Sequence, residues 1–178
     1  MNLCTWSRGH FLSTAMLVGV LQASAVSQES EESKLMNTKT GKASDISAQI
    51  SVLRESIVGM PTDAKLTISN GSSASIWVAD FPMPECEATL LKGRLKEPLE
   101  PTVLGMNMLD ISARMRLVQK ELKPSESKTY KFDLAKFYSL STGEFSFAIK
   151  VDCYSGNRRT PNLVQIDVPG VEFRVVNK

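Results

Sequence analysis

The 178-residue sequence holds a single histidine, His10, only three cysteines, and aromatic residues at 7%. One imidazole, placed ten residues from the start, leaves little access to the commonest general base and the commonest metal ligand. Long hydrophobic runs are also missing, and none approaches the roughly 20 apolar residues that span a bilayer as a helix. Neither sign of charge dominates, with 21 basic against 19 acidic residues and a formal charge of +2. That balance gives no electrostatic reason to expect nucleic acid or an anionic membrane as partner. Hydrophobic residues at 42% and charged residues at 22% exclude a disordered or collagen-like chain.

What is present first is an N-terminal targeting pattern. A short polar region carrying Arg8 precedes the apolar stretch Phe11 to Leu21, which ends at Ala23-Ser24-Ala25. Positive charge, apolar run and small-residue site in that order define a secretory signal. The expectation is cleavage after Ala25 and a secreted or periplasmic product without a stable membrane span. Cleavage removes His10, Cys4 and Arg8, leaving no histidine, a formal excess of one positive charge, and two cysteines, Cys86 and Cys153. In an oxidising compartment two cysteines most simply form one disulfide, and a loop of that length makes the bond worth roughly 4 kcal/mol.

Residues 26–45 are rich in Ser, Glu, Lys and Thr with isolated Leu35 and Met36, a composition expected to form a mobile polar tail. From 46 to 178 the pattern changes to short alternating runs. Ile46, Ala48, Ile50 and Val52 alternate, as do Leu66 and Ile68, and Asn70-Gly71 marks a turn before Ser75-Ile76-Trp77-Val78. Leu90-Leu91 and Thr102-Val103-Leu104 are further strand candidates, and the prolines of Lys96 to Pro101 place that stretch in a loop or edge. The segment 108–121 fits a short helix and a strand equally well. Tyr130, Phe132 and Leu134 alternate, and Phe145, Phe147, Ile149, Val151 and Cys153 hold every second position, the mark of a half-buried antiparallel strand. Pro169-Gly170 within Leu163 to Val176 predicts a bulge or bend. Together these features predict an all-β fold, an immunoglobulin-like antiparallel β-sandwich of about seven to nine strands with at most one short helix. A barrel is the alternative.

The stretch Leu122-Lys123-Pro124-Ser125-Glu126-Ser127, followed by Phe132-Asp133-Leu134, Phe137-Tyr138-Ser139-Leu140 and Gly143-Glu144-Phe145, resembles a recurrent part of immunoglobulin-like sandwiches. It is similar to the non-catalytic domain that precedes the protease domain in secreted zinc endopeptidases of the deuterolysin and peptidyl-lysine type. Leu66 to Asn70 followed by Ser75 to Val78 fits the early part of such domains. The resemblance implies the fold and not the activity, because one histidine cannot supply a His-Glu-x-x-His zinc motif.

Without histidine a nucleophile–histidine–acid triad cannot form, and no spacing singles out a Ser–Lys pair. Glu85 and Glu87, flanking Cys86, read as a solvated pair. Met83, Cys86, Met106 and Met108 offer soft sulfur ligands of the kind that select Cu(I), set against the ordinary use of methionine as core filler. Asn70-Gly71-Ser72 is a glycosylation sequon on a turn, and Asn157, Arg158 and Arg159 form a basic loop where sandwich folds place binding residues. The expectation is a secreted or periplasmic accessory protein without catalysis or cofactor that binds a protein or a glycan. A Cu(I) carrier, and an inhibitor or accessory module of a secreted hydrolase, are the alternatives. The first measurement follows from the signal segment: intact-mass analysis of the exported protein is expected to place its N-terminus at Val26, and retention of residues 1–25 would refute the cleavage.

Overall fold

A computed structural model describes residues 35–80, 86–114, 119–157 and 160–178. The signal segment, most of the polar tail, Met83, Arg158 and Arg159 lie outside the described residues. In chain order the strands are β1 (Met36–Ala43), β2 (Ile46–Leu53), β3 (Glu55–Ile57), β4 (Asp63–Asn70), β5 (Ile76–Ala79), β6 (Cys86–Lys92), β7 (Glu97–Leu99), β8 (Gln119–Leu122), β9 (Ser127–Asp133), β10 (Gly143–Asn157) and β11 (Thr160–Val176). Two short helices interrupt them, α1 (Val103–Arg114) and α2 (Leu134–Phe137). The fold is an all-β sandwich of two sheets. One sheet runs β1-β2-β4-β9, every neighbour antiparallel. The other runs β3-β11-β10-β5-β8, with β6 and β7 on a side branch. Its one parallel pair joins β3 to β11.

Alternation in the sequence becomes alternation in burial. Ile46, Ala48, Ile50 and Val52 of β2 face Ala64, Leu66 and Ile68 of β4 along the inner side of the first sheet. Phe145, Phe147, Ile149, Val151 and Cys153 line the inner side of the second. The rings interlock: Phe132 meets Phe137 and Phe147 edge-on at 6.0 and 6.2 Å, and Phe145 stacks on Phe173 at 5.3 Å. In β11 the buried positions switch parity, from Ile166 and Val168 to Val171, Phe173 and Val175. The pairing of β10 with β11 steps from Ile149 opposite Val168 to Phe147 opposite Val171, so Pro169 and Gly170 form the expected bulge. That extra residue keeps both halves of β11 facing the core.

Two segments differ from the sequence reading, and a third that it left open is decided. Met36–Ala43, expected within the mobile tail, is strand β1, because an edge strand needs apolar side chains on one side only and Met36 and Gly41 supply its buried contacts. Gly41 lies so close to β11 that a Cβ there would fall 2.0 Å from the Asp167 carbonyl oxygen. Thr102-Val103-Leu104, a strand candidate, starts helix α1. Thr102 caps it: its Oγ1 accepts from the Gly105 amide at 3.0 Å, and its carbonyl accepts from the Met106 amide at 2.8 Å. The ambiguous segment 108–121 divides, its first part closing α1 and its end forming β8. The eleven strands among the described residues exceed the expected number because the short edge strands β3, β7 and β8 carry too few residues for a period to show.

Asn70, at the end of β4, ties the two sheets at one end. It is 1% exposed, and its Nδ2 donates to the carbonyls of Ala74 and Leu122 at 2.8 and 2.9 Å. Its Oδ1 accepts from the amide and hydroxyl of Ser72 at 3.0 and 2.7 Å. Its backbone amide donates to Glu126 O, and its carbonyl accepts from the Ser125 amide. Asn70→Ala leaves the Leu122 carbonyl buried without this donor and is expected to lower unfolding free energy by about 2–4 kcal/mol. Urea denaturation checks this, and a loss below about 0.5 kcal/mol would show that the clasp is dispensable.

Candidate functional site

The groove arises where the chain passes from one sheet to the other. Arg54 sits between β2 and β3, its amide donating to Leu35 O and its carbonyl accepting from the Arg174 amide, both at 2.9 Å. Both backbone groups are thereby used, and the side chain is exposed. On the outer face of the second sheet, Glu55, Arg174 and Glu144 are cross-strand neighbours, as are Ser146 and Glu172. Asn37 of β1 donates from Nδ2 to Glu172 O at 2.5 Å and so forms one wall. The β6–β7 turn forms the other, with Gly93 bonded to Glu144 O at 2.8 Å and Gly93 and Lys96 both at positive φ. That turn conformation places Arg94 and Lys96 at the rim.

The resulting cavity is about 360 Å³ and is lined by Asn37, Arg54, Arg94, Lys96, Ser146 and Arg174, together with Glu144 and Glu172. Arg174 forms an ion pair with Glu55, both side chains solvent-exposed, so the pair orients the guanidinium more than it stabilises the fold. Among the described residues no carboxylate pairs with the side chains of Arg54, Arg94 or Lys96. Three cations with no ion-pair partner among the described residues and two carboxylates around one groove can hold a ligand that carries both anionic and hydrogen-donating groups.

A second concentration of ionisable groups lies inside the sandwich. The Tyr130 hydroxyl donates to Ala79 O at 2.7 Å, and burial, followed by the neighbouring Cys153, Asp80 and Cys86, pushes its pKa up. Burial likewise pushes the Tyr138 hydroxyl up to about 12 and the Cys153 thiol up to about 12. Asp80 is held below the usual carboxylate range by its hydrogen bond to Lys128 and by the charge of that ammonium, which also lies 5.0 Å over the Tyr130 ring. At neutral pH these phenols and the Cys153 thiol stay protonated, which suits packing and hydrogen bonding and not nucleophilic attack.

The residues singled out in the sequence fall in separate places. Cys86 opposes Val151, two positions along β10 from Cys153, so the two cysteines are diagonal neighbours on adjacent strands. Diagonal pairs stand about 7–8 Å apart, beyond the usual span of about 5.5–6 Å for a disulfide. Both side chains are thiols in the structure, where the sequence reading expected a bond between them. Met106 is exposed and Met108 packs against the core, because two residues two apart on a helix point to different sides. As a strand the Met-x-Met would have aligned both sulfurs, but in α1 it separates them. The Asn70 amide is committed to Ala74 and Leu122, so the folded chain presents no free Nδ2 at the sequon. Asn157 closes β10 opposite Thr160. Glu87 lies 3.8 Å from Lys150 on the outer face, the solvated role expected of it. Sequence reasoning missed Arg54, Arg94, Lys96 and Arg174; the positive φ that aims two of them has no sequence mark beyond Gly93.

Among the described residues no group of three or more His, Cys, Asp or Glu side chains converges as a metal site, and no helix is long and apolar enough to cross a membrane. No protein-family model matches the chain, and no curated protein matches it. The thiol arrangement has a measurable outcome: in native protein Cys86, half-buried, is expected to react with iodoacetamide faster than Cys153, buried with its pKa raised. Peptide mapping of the alkylated protein reads the order, and faster labelling of Cys153 would contradict it.

Proposed function

We propose that the chain is a secreted or periplasmic, non-catalytic β-sandwich that binds a protein or glycan ligand through the groove at Arg54, Arg94, Lys96 and Arg174. The observation that carries this reading is the set of three cations around one cavity without a carboxylate partner among the described residues. Fixed cations at a concave site that no ion pair engages favour an anionic group from outside. The signal segment supports an extracytoplasmic setting. The absence of histidine after residue 10 and the protonated state of Tyr130 and Cys153 support binding without turnover.

The accessory-module alternative draws on the resemblance to the domain of secreted zinc endopeptidases. Its motifs occupy scaffold positions: Leu122 to Ser127 forms the turn clasped by Asn70, and Asp133 caps α2. They therefore speak for shared architecture, and architecture alone does not assign a partner. For the Cu(I) alternative, the opposed directions of Met106 and Met108 keep the two from joining one site, which removes one of its four ligands.

The test is an array of defined glycans and peptides probed with the intact protein. At least one ligand is expected to be retained, to lose about tenfold or more in affinity on Arg54→Ala or Arg94→Ala, and to be recovered chemically unchanged. Retention insensitive to both substitutions, or a cleaved ligand, would overturn the reading.

A further inference from the structure

The groove differs from a simple cationic patch because two carboxylates share it. Glu144 and Glu172 are acceptors only, and they stand beside Arg174 and Ser146 in cross-strand register. A densely charged polyanion would bring its own negative groups against both glutamates. A neutral ligand would leave Arg54, Arg94 and Lys96 unanswered. A chain of sugar rings carrying carboxylates meets both demands. Its carboxylates pair with the guanidinium groups, and its ring hydroxyls donate to Glu144 and Glu172 while accepting from Asn37, Ser146 or Lys96.

The alternative occupant is an acidic peptide, and the geometry argues against it in two ways. An extended peptide gains affinity by adding to a free sheet edge, and the β11 edge that borders the groove is taken by β3 along 174–176 and by Asn37 at the Glu172 carbonyl. Acidic side chains also carry no donors for the two glutamates, which leaves only the peptide's backbone amides to answer them. The cavity volume of about 360 Å³ lies at the lower end of the range for small-molecule sites, so the groove takes a short section of a chain.

We infer that the groove is a binding site for an acidic glycan of the uronic-acid type. Arg54 and Arg94 take its carboxylates, and Glu144 and Glu172 take its hydroxyls. This inference rests on the binding reading above and narrows its ligand to one class.

Titration calorimetry on the purified protein with three probes tests it: a galacturonic-acid oligomer, the same oligomer fully methyl-esterified, and an oligoglutamate peptide. The free-acid oligomer is expected to bind at least tenfold more tightly than either other probe. Arg54→Ala and Arg94→Ala should each weaken it about tenfold, and Glu144→Gln, which removes an acceptor charge but keeps the shape, should weaken it less. Lys131→Ala, on the outer face of the first sheet, should leave it unchanged, and thermal melts of each variant separate lost binding from lost fold. Equal or tighter binding of the esterified oligomer or of oligoglutamate overturns the acidic-glycan assignment while leaving a binding protein in place. Free-acid binding unaffected by both arginine substitutions overturns the groove as its site. Failure of all three probes, with no ligand retained on the array, overturns the inference and the broader reading together.

Discussion

The sandwich depends on one buried amide. Asn70 closes β4 in the first sheet and reaches the approach to β5 and the end of β8 in the second, through the carbonyls of Ala74 and Leu122. Two sheets packed only through aliphatic side chains can slide, since apolar contact is not directional. A side-chain amide with every donor and acceptor satisfied fixes both the separation and the relative position of the strands it joins. The turn Lys123 to Glu126 closes on the same residue, with Glu126 accepting from the Lys123 amide at 2.8 Å. At the opposite end Asp133 plays a similar part, accepting from Thr62 and Ala135 at 2.8 and 3.0 Å and so joining α2 to the approach of β4. Between these anchors Tyr130 crosses the core from β9 to the last residue of β5.

How much of this was legible depended on the length of each pattern. Ten residues of strict alternation in β10 left one reading open, and the dipeptide Pro169-Gly170 announced the bulge because proline and glycine fit poorly anywhere else in such a strand. Strand β1 was hidden because its outward residues are as polar as a tail, and its buried glycine carries no hydrophobic signal. Helix α1 was hidden by β-prone residues at its start, where Thr102 and the close approach of Gly105 to Phe137 O decide the conformation. Both are cases in which tertiary contact outweighs local propensity.

The groove was less legible than the fold for a different reason. Arg54, Arg94, Lys96 and Arg174 come from three distant stretches of chain, and no spacing among them forms a motif. Only the pairing of β3, β10 and β11, together with the β6–β7 turn, brings them to one face. The sequence instead drew attention to Met106, Met108 and the sequon at Asn70: in the fold a helix parts the two sulfurs, and the Asn70 amide is buried in hydrogen bonds to Ala74 and Leu122.

Strands β5 and β6 lie along the same side of β10, one beside Tyr154 and Ser155, the other beside Phe145 to Val151. They are two pieces of a single lane along that strand. Because each piece has its own pairing with β10, the number of residues that joins β5 to β6 in sequence is not tied to the register of either. Length can change there while the hydrophobic rows stay in phase, a freedom that the β10–β11 bulge does not share. The sheet thus carries a position at which new sequence can be added without redrawing the core.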